Sequence, residues 1–518
     1  MPGRIGIIAK SGTLSYETVA STTRAGLGQS LCIGVGGDIV PGTDLREALS
    51  VLENDEDTDA IALIGEIGGA GELDAAAWIK DYLARVESPK PIVGLIAGVH
   101  EARGRVMGHA GAFTAPGEPG AEAKIAALED AGVTMVNHPA KFGDALKARL
   151  DGRSRSALGA RHSTTSSDDF IFTHGQRRQL HTSTVGRPRI RYSRCQPSRL
   201  PGRQQQQRHI HLGEDKCMDI LRATSRINCG SYSGHGDRRF LAIGIDRSTR
   251  SPCIVAAPSI EEGELARVAK RYSFDFQRGL DELAIERVAA HLQLSSKASA
   301  VESLRKVIKG LAALFYEREA FLVATHIVER LGEIKVVGAH FGFDDAAFRS
   351  GGRQGDLQDL RDTTAEDPSE MEAEKSGIVY IKLPGDGANI GTLVNGAGLA
   401  MNTVDALADA GGQAANFLDT GGKATSETVK KSFEVILRDP RVRVIFVNIF
   451  GGLTLGDMIA RGIILAFQEL SPAVPVVVRI RGTNEKEGQK LIAESGLPLY
   501  AFDDFEAAAA KAIELSRG

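Results

Sequence analysis

The sequence predicts an α/β protein with two parallel-sheet domains, separated by a disordered linker and a smaller α+β unit. Three observations predict it. Short apolar runs alternate with amphipathic stretches over residues 1–150 and again over 377–518, the rhythm of strands covered by helices on both faces. These two stretches align with one another at a nearly constant offset. The stretch between them changes composition abruptly.

In the first domain, taken as 1–152, strands are expected near 4–9, 31–35, 59–64, 91–97 and 133–136, and helices near 13–25, 72–86, 120–131 and 141–149. Residues 153–208 hold twelve arginines, the run Gln204 to Gln207 and two acids, Asp168 and Asp169. Such a segment cannot bury enough apolar surface to offset the entropy of ordering, which predicts a disordered linker. Its centre, Arg177-Arg-Gln-Leu-His-Thr-Ser-Thr, is Arg- and Ser-rich and acid-poor, as mitochondrial transit peptides are. A basic linker without function is the plainer alternative. Residues 209–376 regain globular character from about 236, with strands near 239–245, 252–257, 320–328 and 333–341 and helices near 261–272 and 301–316. The last domain, 377–518, has strands near 391–394, 444–449, 475–480 and 498–502 and helices near 398–410, 425–438, 455–469, 485–495 and 504–516.

A net charge of −4, with 42% hydrophobic and 25% charged residues, argues against a general nucleic-acid or membrane-surface role. Five cysteines without paired C-x-x-C spacing argue against a disulfide framework or a zinc site. The longest apolar runs are strand-sized, so neither a signal peptide nor a spanning helix is expected.

The internal repeat points at a site. At an offset of 385, Leu14, Thr18 and Val19 recur as Leu399, Thr403 and Val404, and Ala25-Gly26 as Ala410-Gly411. At an offset of 383, Ala60–Gly69 pairs with Arg443–Gly452. Each copy reads as a strand, a turn of small residues and a helix: Ser11-Gly12 in one and Gly396-Ala397-Gly398 in the other. Such turns either allow tight packing or present backbone N–H groups and the positive helix end to an anion.

Residues 6–150 resemble the second domain of the succinyl-CoA ligase α subunit. The resemblance rests on Ser11-Gly-Thr-Leu-Ser-Tyr-Glu17, Gly36-Gly-Asp38, Gly65-Glu-Ile-Gly-Gly69 and Gly108-His-Ala-Gly-Ala112. Residues 377–518 resemble the last domain of the β subunit through Asn395-Gly-Ala-Gly-Leu-Ala-Met401, Asn416-Phe-Leu-Asp-Thr-Gly-Gly422 and Asn448-Ile-Phe-Gly-Gly452. Residues 238–350 resemble the later part of the β subunit's ATP-grasp domain through Phe240-Leu-Ala-Ile-Gly-Ile-Asp246 and Phe343-Asp-Asp345. The resemblance implies two flavodoxin-like ligase domains and a truncated ATP-grasp-like unit. It also implies an acid–thiol ligase that joins succinate or a similar acid to CoA at the expense of ATP or GTP with Mg2+, through a phosphohistidine. Carried over, it makes His109 the phosphate carrier and Glu66 the carboxylate orienting its imidazole. Ser11, Gly12, Gly396, Ala397 and Gly398 would bind phosphate, and Asn395, Gly452, Leu453 and Thr454 the acid. A neutral imidazole is a nucleophile near pH 7, and phosphoryl transfer depends mainly on positioning and on dipoles aimed at the phosphate oxygens.

The sequence also departs from the family. It starts after the glycine-rich CoA-binding domain of the α subunit, and only about fifteen residues separate Arg222 from Arg238, where nucleotide-binding elements are expected. At the two magnesium-ligand positions it has His326 and Gly338. Imidazole is a poor substitute for an amide oxygen at this hard cation, and glycine offers no side-chain oxygen at all. The expectation is therefore a truncated or diverged copy, a fusion of α and β pieces in either the mitochondrial matrix or the cytoplasm. Two other readings stand beside the ligase: a non-catalytic partner of intact α or β subunits, and an ATP-citrate-lyase-like enzyme. The last ranks lower because the chain ends in a β-type α/β domain rather than a helical module.

Overall fold

The computed structural model describes residues 1–102, 104–115, 118–161, 209–223, 227–232, 238–261, 265, 267–295, 297–344, 354–361, 366–421 and 424–518. Met1–Leu150 and Gln206–Gly518 form one compact unit, and Asp151–Gln205 another. In the latter the described part is the end of helix Phe142–Arg161, which runs past the expected boundary at 152. The linker expectation for the rest falls on 162–208, outside the described residues.

Three sheets organise the larger unit. The first contains β1 (Pro2–Ala9), β2 (Gln29–Gly34), β3 (Ala60–Glu66), β4 (Ile92–Ala97) and β5 (Thr134–Met135), all parallel in the order β2-β1-β3-β4-β5. Strands β3 and β4 are buried throughout, as parallel strands covered on both faces must be.

The second sheet is antiparallel: β6 (His209–Leu212), β7 (Arg239–Asp246), β8 (Ser251–Ala257), β9 (Lys270–Ser273), β10 (Ala320–Arg330) and β11 (Glu333–Asp344), in the order β6-β11-β10-β7-β8-β9. Helices Glu282–His291 and Ala298–Glu317 bury their apolar faces against it through Ile285, Val288, Leu304, Ile308 and Leu311. The helix expected near 261–272 is corrected at its end. Lys270–Ser273 pairs with β8 instead, so the hydrogen bonds of an open sheet edge outweigh the local helical pattern.

The third sheet contains β12 (Val379–Lys382), β13 (Ile390–Val394), β14 (Asn416–Asp419), β15 (Val444–Gly451), β16 (Val476–Gly482) and β17 (Leu499–Phe502), in the order β12-β14-β13-β15-β16-β17. Without the antiparallel edge strand β12, its order repeats that of the first sheet, so the sequence repeat is also a repeat of topology. Both are the flavodoxin-like order, with the switch point between the first and third strands.

The two parallel-sheet halves share apolar packing. One hydrophobic cluster runs from Ile7, Leu14 and Ile64 of the first sheet and its helices to Val394, Ala397, Leu399, Met401, Phe417 and Phe450 of the third. The helices after β1 (Gly12–Arg24) and β13 (Ala397–Asp409) meet along this seam. Polar groups fix its register: Asp405 accepts from the Gly98 and His100 amides at 2.7 and 2.8 Å, and Glu17 pairs with Arg479.

Candidate functional site

In an open α/β sheet the ligand crevice lies beyond the carboxyl ends of the strands where the strand order reverses. In the first sheet those ends carry Lys10-Ser11 after β1 and Glu66 at the end of β3; in the third they carry Asn395-Gly396 after β13 and Gly451-Gly452 at the end of β15. The residues singled out in the sequence lie at these two ends.

Glu66 is buried, 1% exposed, and faces His109 from the loop after β4. His109 Nδ1 lies 2.9 Å from Glu66 Oε2 and 3.2 Å from Oε1. With Nδ1–H donated to the carboxylate, the Nε2 lone pair is the nucleophilic position. Backbone hydrogen bonds shape the loop: Met107 donates to Ala112, Ala112 to His109, Phe113 to Gly111, and Gly111 to Gly37. Gly37 has no room for a side chain, because a Cβ would lie 2.5 Å from His109 Nδ1 and 2.7 Å from Glu66 Oε1.

Burial pushes the Glu66 carboxyl up, but the adjacent imidazole and Lys10 outweigh it and hold the group below its ordinary value of 4.5. Burial likewise pushes the His109 imidazole down, and the Glu66 carboxylate more than offsets it, leaving it above 6.5. A buried ion network stands behind the pair. Lys10 Nζ and Lys124 Nζ each lie 2.7 Å from a Glu72 oxygen, and Lys124 donates to the Glu66 and Gly68 carbonyls at 2.9 Å. Glu72 also accepts the Glu66 amide at 3.2 Å. Despite burial, the two ammonium groups pull the Glu72 carboxyl down to about 2.

The two helix starts abut. Ser11 caps the first helix by accepting from the Leu14 amide at 3.5 Å, and Gly12 faces open space, with nothing within 4 Å of a Cβ there. Gly398 sits against Ser11 so closely that a Cβ would lie 2.1 Å from its Oγ, and one on Gly396 would lie 2.0 Å from Thr13 Oγ1. The His109 loop reaches the same place: a Cβ on Gly108 would lie 2.5 Å from Ala397 Cβ. The expected phosphate set is thus brought together, with different duties. Gly398 provides the close approach, the Gly396 N–H is committed to Asp419 Oδ1 at 2.6 Å, Ala397 meets the His109 loop, and Gly12 faces open space.

The expected acid-binding set lies at the neighbouring ends of β13 and β15. Both polar atoms of the Asn395 amide are bonded to the Phe450 backbone, at 2.9 and 2.8 Å, so this side chain braces β13 to β15. Gly452 packs on the Tyr16 ring of the Gly12 helix, Leu453 is 65% exposed and Thr454 is buried.

The expected magnesium positions face each other directly: His326 on β10 pairs with Gly338 on β11. A Cβ at Gly338 would lie 3.0 Å from His326 Nδ1 and 2.9 Å from Glu214 Oε1. One nitrogen and one carboxylate do not fit a cation that requires six oxygens, and among the described residues no group of three or more His, Cys, Asp or Glu could hold a metal ion. Asp345 lies outside the described residues. No helix among the described residues is long and apolar enough to cross a membrane.

Sequence reasoning missed Lys10, Glu72, Lys124, Asp419 and Arg247. Glu72 stands six residues after Glu66, but nothing local announces that Lys124 returns to it from a helix more than fifty residues on.

A CoA-ligase family profile matches residues 8–134 and 393–513. The chain is 40% identical over 290 residues to the mitochondrial β subunit of ADP-forming succinate–CoA ligase from Saccharomyces cerevisiae, covering 54% of this chain and 66% of that one. For the corresponding Neurospora crassa subunit the figures are 39% over 288 residues, 54% and 62%. The chain therefore spans just under two thirds of the length of these two fungal relatives. With the β subunit of the Paracoccus denitrificans enzyme it shares 41% identity over 287 residues, covering 54% of this chain and 70% of that one. A solved ATP citrate lyase from Methanothrix soehngenii, in complex with citrate and coenzyme A, matches with a TM-score of 0.42 at 17% identity, over 55% of this chain and 74% of that one.

Proposed function

The chain belongs to the succinate–CoA ligase family, and from that premise we propose that it carries a phosphoryl group on His109 in the formation of an acyl-CoA from a small carboxylic acid. The observation that carries this reading is the His109–Glu66 pair, held at 2.9 Å beside the junction of two helix starts, one from each repeated half. Nε2 attacks the terminal phosphorus of a nucleoside triphosphate, and the diphosphate leaves. Glu66 stabilises the charge that develops on the ring as the bond forms. The acid's carboxylate oxygen then attacks the phosphorus, regenerating the imidazole and giving an acyl phosphate. A CoA thiol attacks the acyl carbon and releases phosphate. The positive helix ends stabilise the phosphoryl oxygens during both transfers.

Succinate or a related dicarboxylate is the proposed acid, and ATP or GTP the donor. The mitochondrial matrix is the proposed location, supported by the fungal relatives described as mitochondrial. The test runs the reaction backwards: the protein is incubated with succinyl-CoA and radiolabelled phosphate, alone and with intact α and β subunits. Acid-labile, base-stable label that disappears in His109→Ala is the expected result. Label that is absent in every mixture, or that survives the substitution, sinks the proposal.

The poor fit of His326 and Gly338 to magnesium supports a second reading, a partner subunit without nucleotide chemistry of its own. It predicts co-purification with intact α or β subunits and no label from ATP in the isolated chain.

A further inference from the structure

The loop that presents His109 is held from one side by its own domain and from the other by the antiparallel sheet. The second holder is Arg247, in the turn between β7 and β8. Its Nη1 donates to the Gly111 carbonyl at 2.7 Å and its Nη2 to the Phe113 carbonyl at 3.5 Å. Its Nε lies 3.4 Å from Glu118 Oε1, and its guanidinium sits 4.5 Å from the centre of the Phe113 ring. Phe113 in turn meets Phe321 of β10 edge to face at 5.3 Å. The Arg247 side chain is 10% exposed, so these contacts are made largely out of water, where charge-assisted bonds are strong.

The opposite wall is cut to admit this side chain. Gly68 and Gly69 both have positive φ, and a Cβ on Gly68 would lie 2.4 Å from Arg247 Nη1 and 1.9 Å from the Gly111 carbonyl; one on Gly69 would lie 2.8 Å from Arg247 Cδ. Glu118 completes the clamp, since its other oxygen accepts from the Gly69 amide at 3.2 Å and the Ala115 amide at 2.9 Å. The glycine pair after Glu66 thus serves a tertiary purpose: it lets a guanidinium from another sheet reach two carbonyls of the His109 loop.

We propose that Arg247 is a positioning residue that latches the His109 loop against the Glu66 strand, so that the antiparallel sheet governs where the imidazole stands. Arginine suits this duty because its planar fork reaches two carbonyls and a carboxylate together, whereas a lysine ammonium offers one point of charge. The consequence for phosphoryl transfer rests on the His109 reading above; the latch itself does not.

Two readouts separate these claims: hydrogen exchange resolved by segment, and phosphate label on His109, each in wild type, Arg247→Lys and Arg247→Ala. The latch predicts exchange in segment 107–113 faster by about tenfold or more in Arg247→Ala, as expected for loss of charge-assisted hydrogen bonds, with Arg247→Lys intermediate and strands β1 and β3 unchanged. It also predicts slower labelling in the same order. Unchanged exchange in 107–113, or an equal rise across the whole first domain, overturns the latch. Label absent from the wild type, both alone and with intact α and β subunits, overturns the phosphohistidine reading and leaves the exchange result to decide the latch by itself. If Arg247→Ala fails to fold, the comparison of wild type with Arg247→Lys carries both readouts.

Discussion

At His109 the fixed nitrogen is Nδ1, held by Glu66. Nδ1 is committed to a buried carboxylate, which fixes the tautomer and leaves Nε2 with its lone pair. The linkage signs follow from the two shifts. The Glu66 carboxyl is held below 4.5, so its contribution to stability is present above that value and lost as pH falls through the lowered one. The His109 imidazole is held above 6.5, so its contribution is present below 6.5 and lost as pH rises through the raised value. The pair therefore stabilises the fold most between about 4.5 and 6.5, whereas attack by Nε2 gains as the ring loses its proton. Glu66→Gln should move the pH profile of His109 phosphorylation towards lower pH and slow the step by ~10²–10⁴-fold, the range lost when an orienting carboxylate or general base is removed. A profile that stays in place at an unchanged rate would remove Glu66 from the account. The pairing of these two residues was legible in the sequence because each lies in a short, specific motif. The Lys10, Glu72 and Lys124 network behind them was not, since each is an ordinary helix or turn residue until the fold brings them together.

At the scale of elements, the repeat was the informative signal. Strands β1, β3, β13 and β15 and the two helices that follow β1 and β13 were expected close to where they stand, because long apolar runs and a change of period mark them. Strands β12 and β14, each four residues, were missed, as was the helix Leu45–Asn54, although Asp44 and Glu47 form a capping box that could have disclosed it. Edge strands such as β9 are set by the neighbour they pair with, which local pattern does not contain. The abutting helix starts also explain a composition that sequence left open between packing and anion binding. Gly398 is needed for packing, since Ser11 Cβ lies 2.4 Å from where its own Cβ would be. Gly398→Ala should therefore cost about 1–3 kcal/mol through overpacking, measured by urea unfolding. The same substitution at Gly12, where a Cβ meets nothing within 4 Å, should leave stability nearly unchanged. Equal effects at the two positions would contradict the packing described.

At the scale of the whole molecule, the two parallel-sheet halves are joined by a continuous apolar cluster and by a buried ion pair, Glu17 to Arg479. Arg479 also donates to Asn448 at 2.9 Å, and Asn448 to Thr403 at 2.8 Å, so the pair ties the first helix of one half to the central strands of the other. His138 lies near the same carboxylate, stacked on Phe505 at 4.0 Å, and burial pushes its imidazole down to about 4. Arg479→Met should cost about 3–5 kcal/mol by leaving Glu17 buried without a partner, and the double substitution with Glu17→Leu should recover part of that loss. A double variant no more stable than Arg479→Met would show that the pair does not act as a unit. None of this was legible in the sequence, where Glu17 stood inside the phosphate-turn motif and Arg479 in an apolar run.

In the reaction proposed for this chain, both halves present a helix start to one phosphoryl group on His109. Chemical phosphorylation of the intact chain with phosphoramidate, followed by amide NMR, tests it without nucleotide or CoA. Phosphate on His109 Nε2 and shifted amide resonances at both Gly12–Leu14 and Ala397–Leu399 are the expected result. Phosphate on His109 with shifts at only one helix start, or at neither, would contradict it.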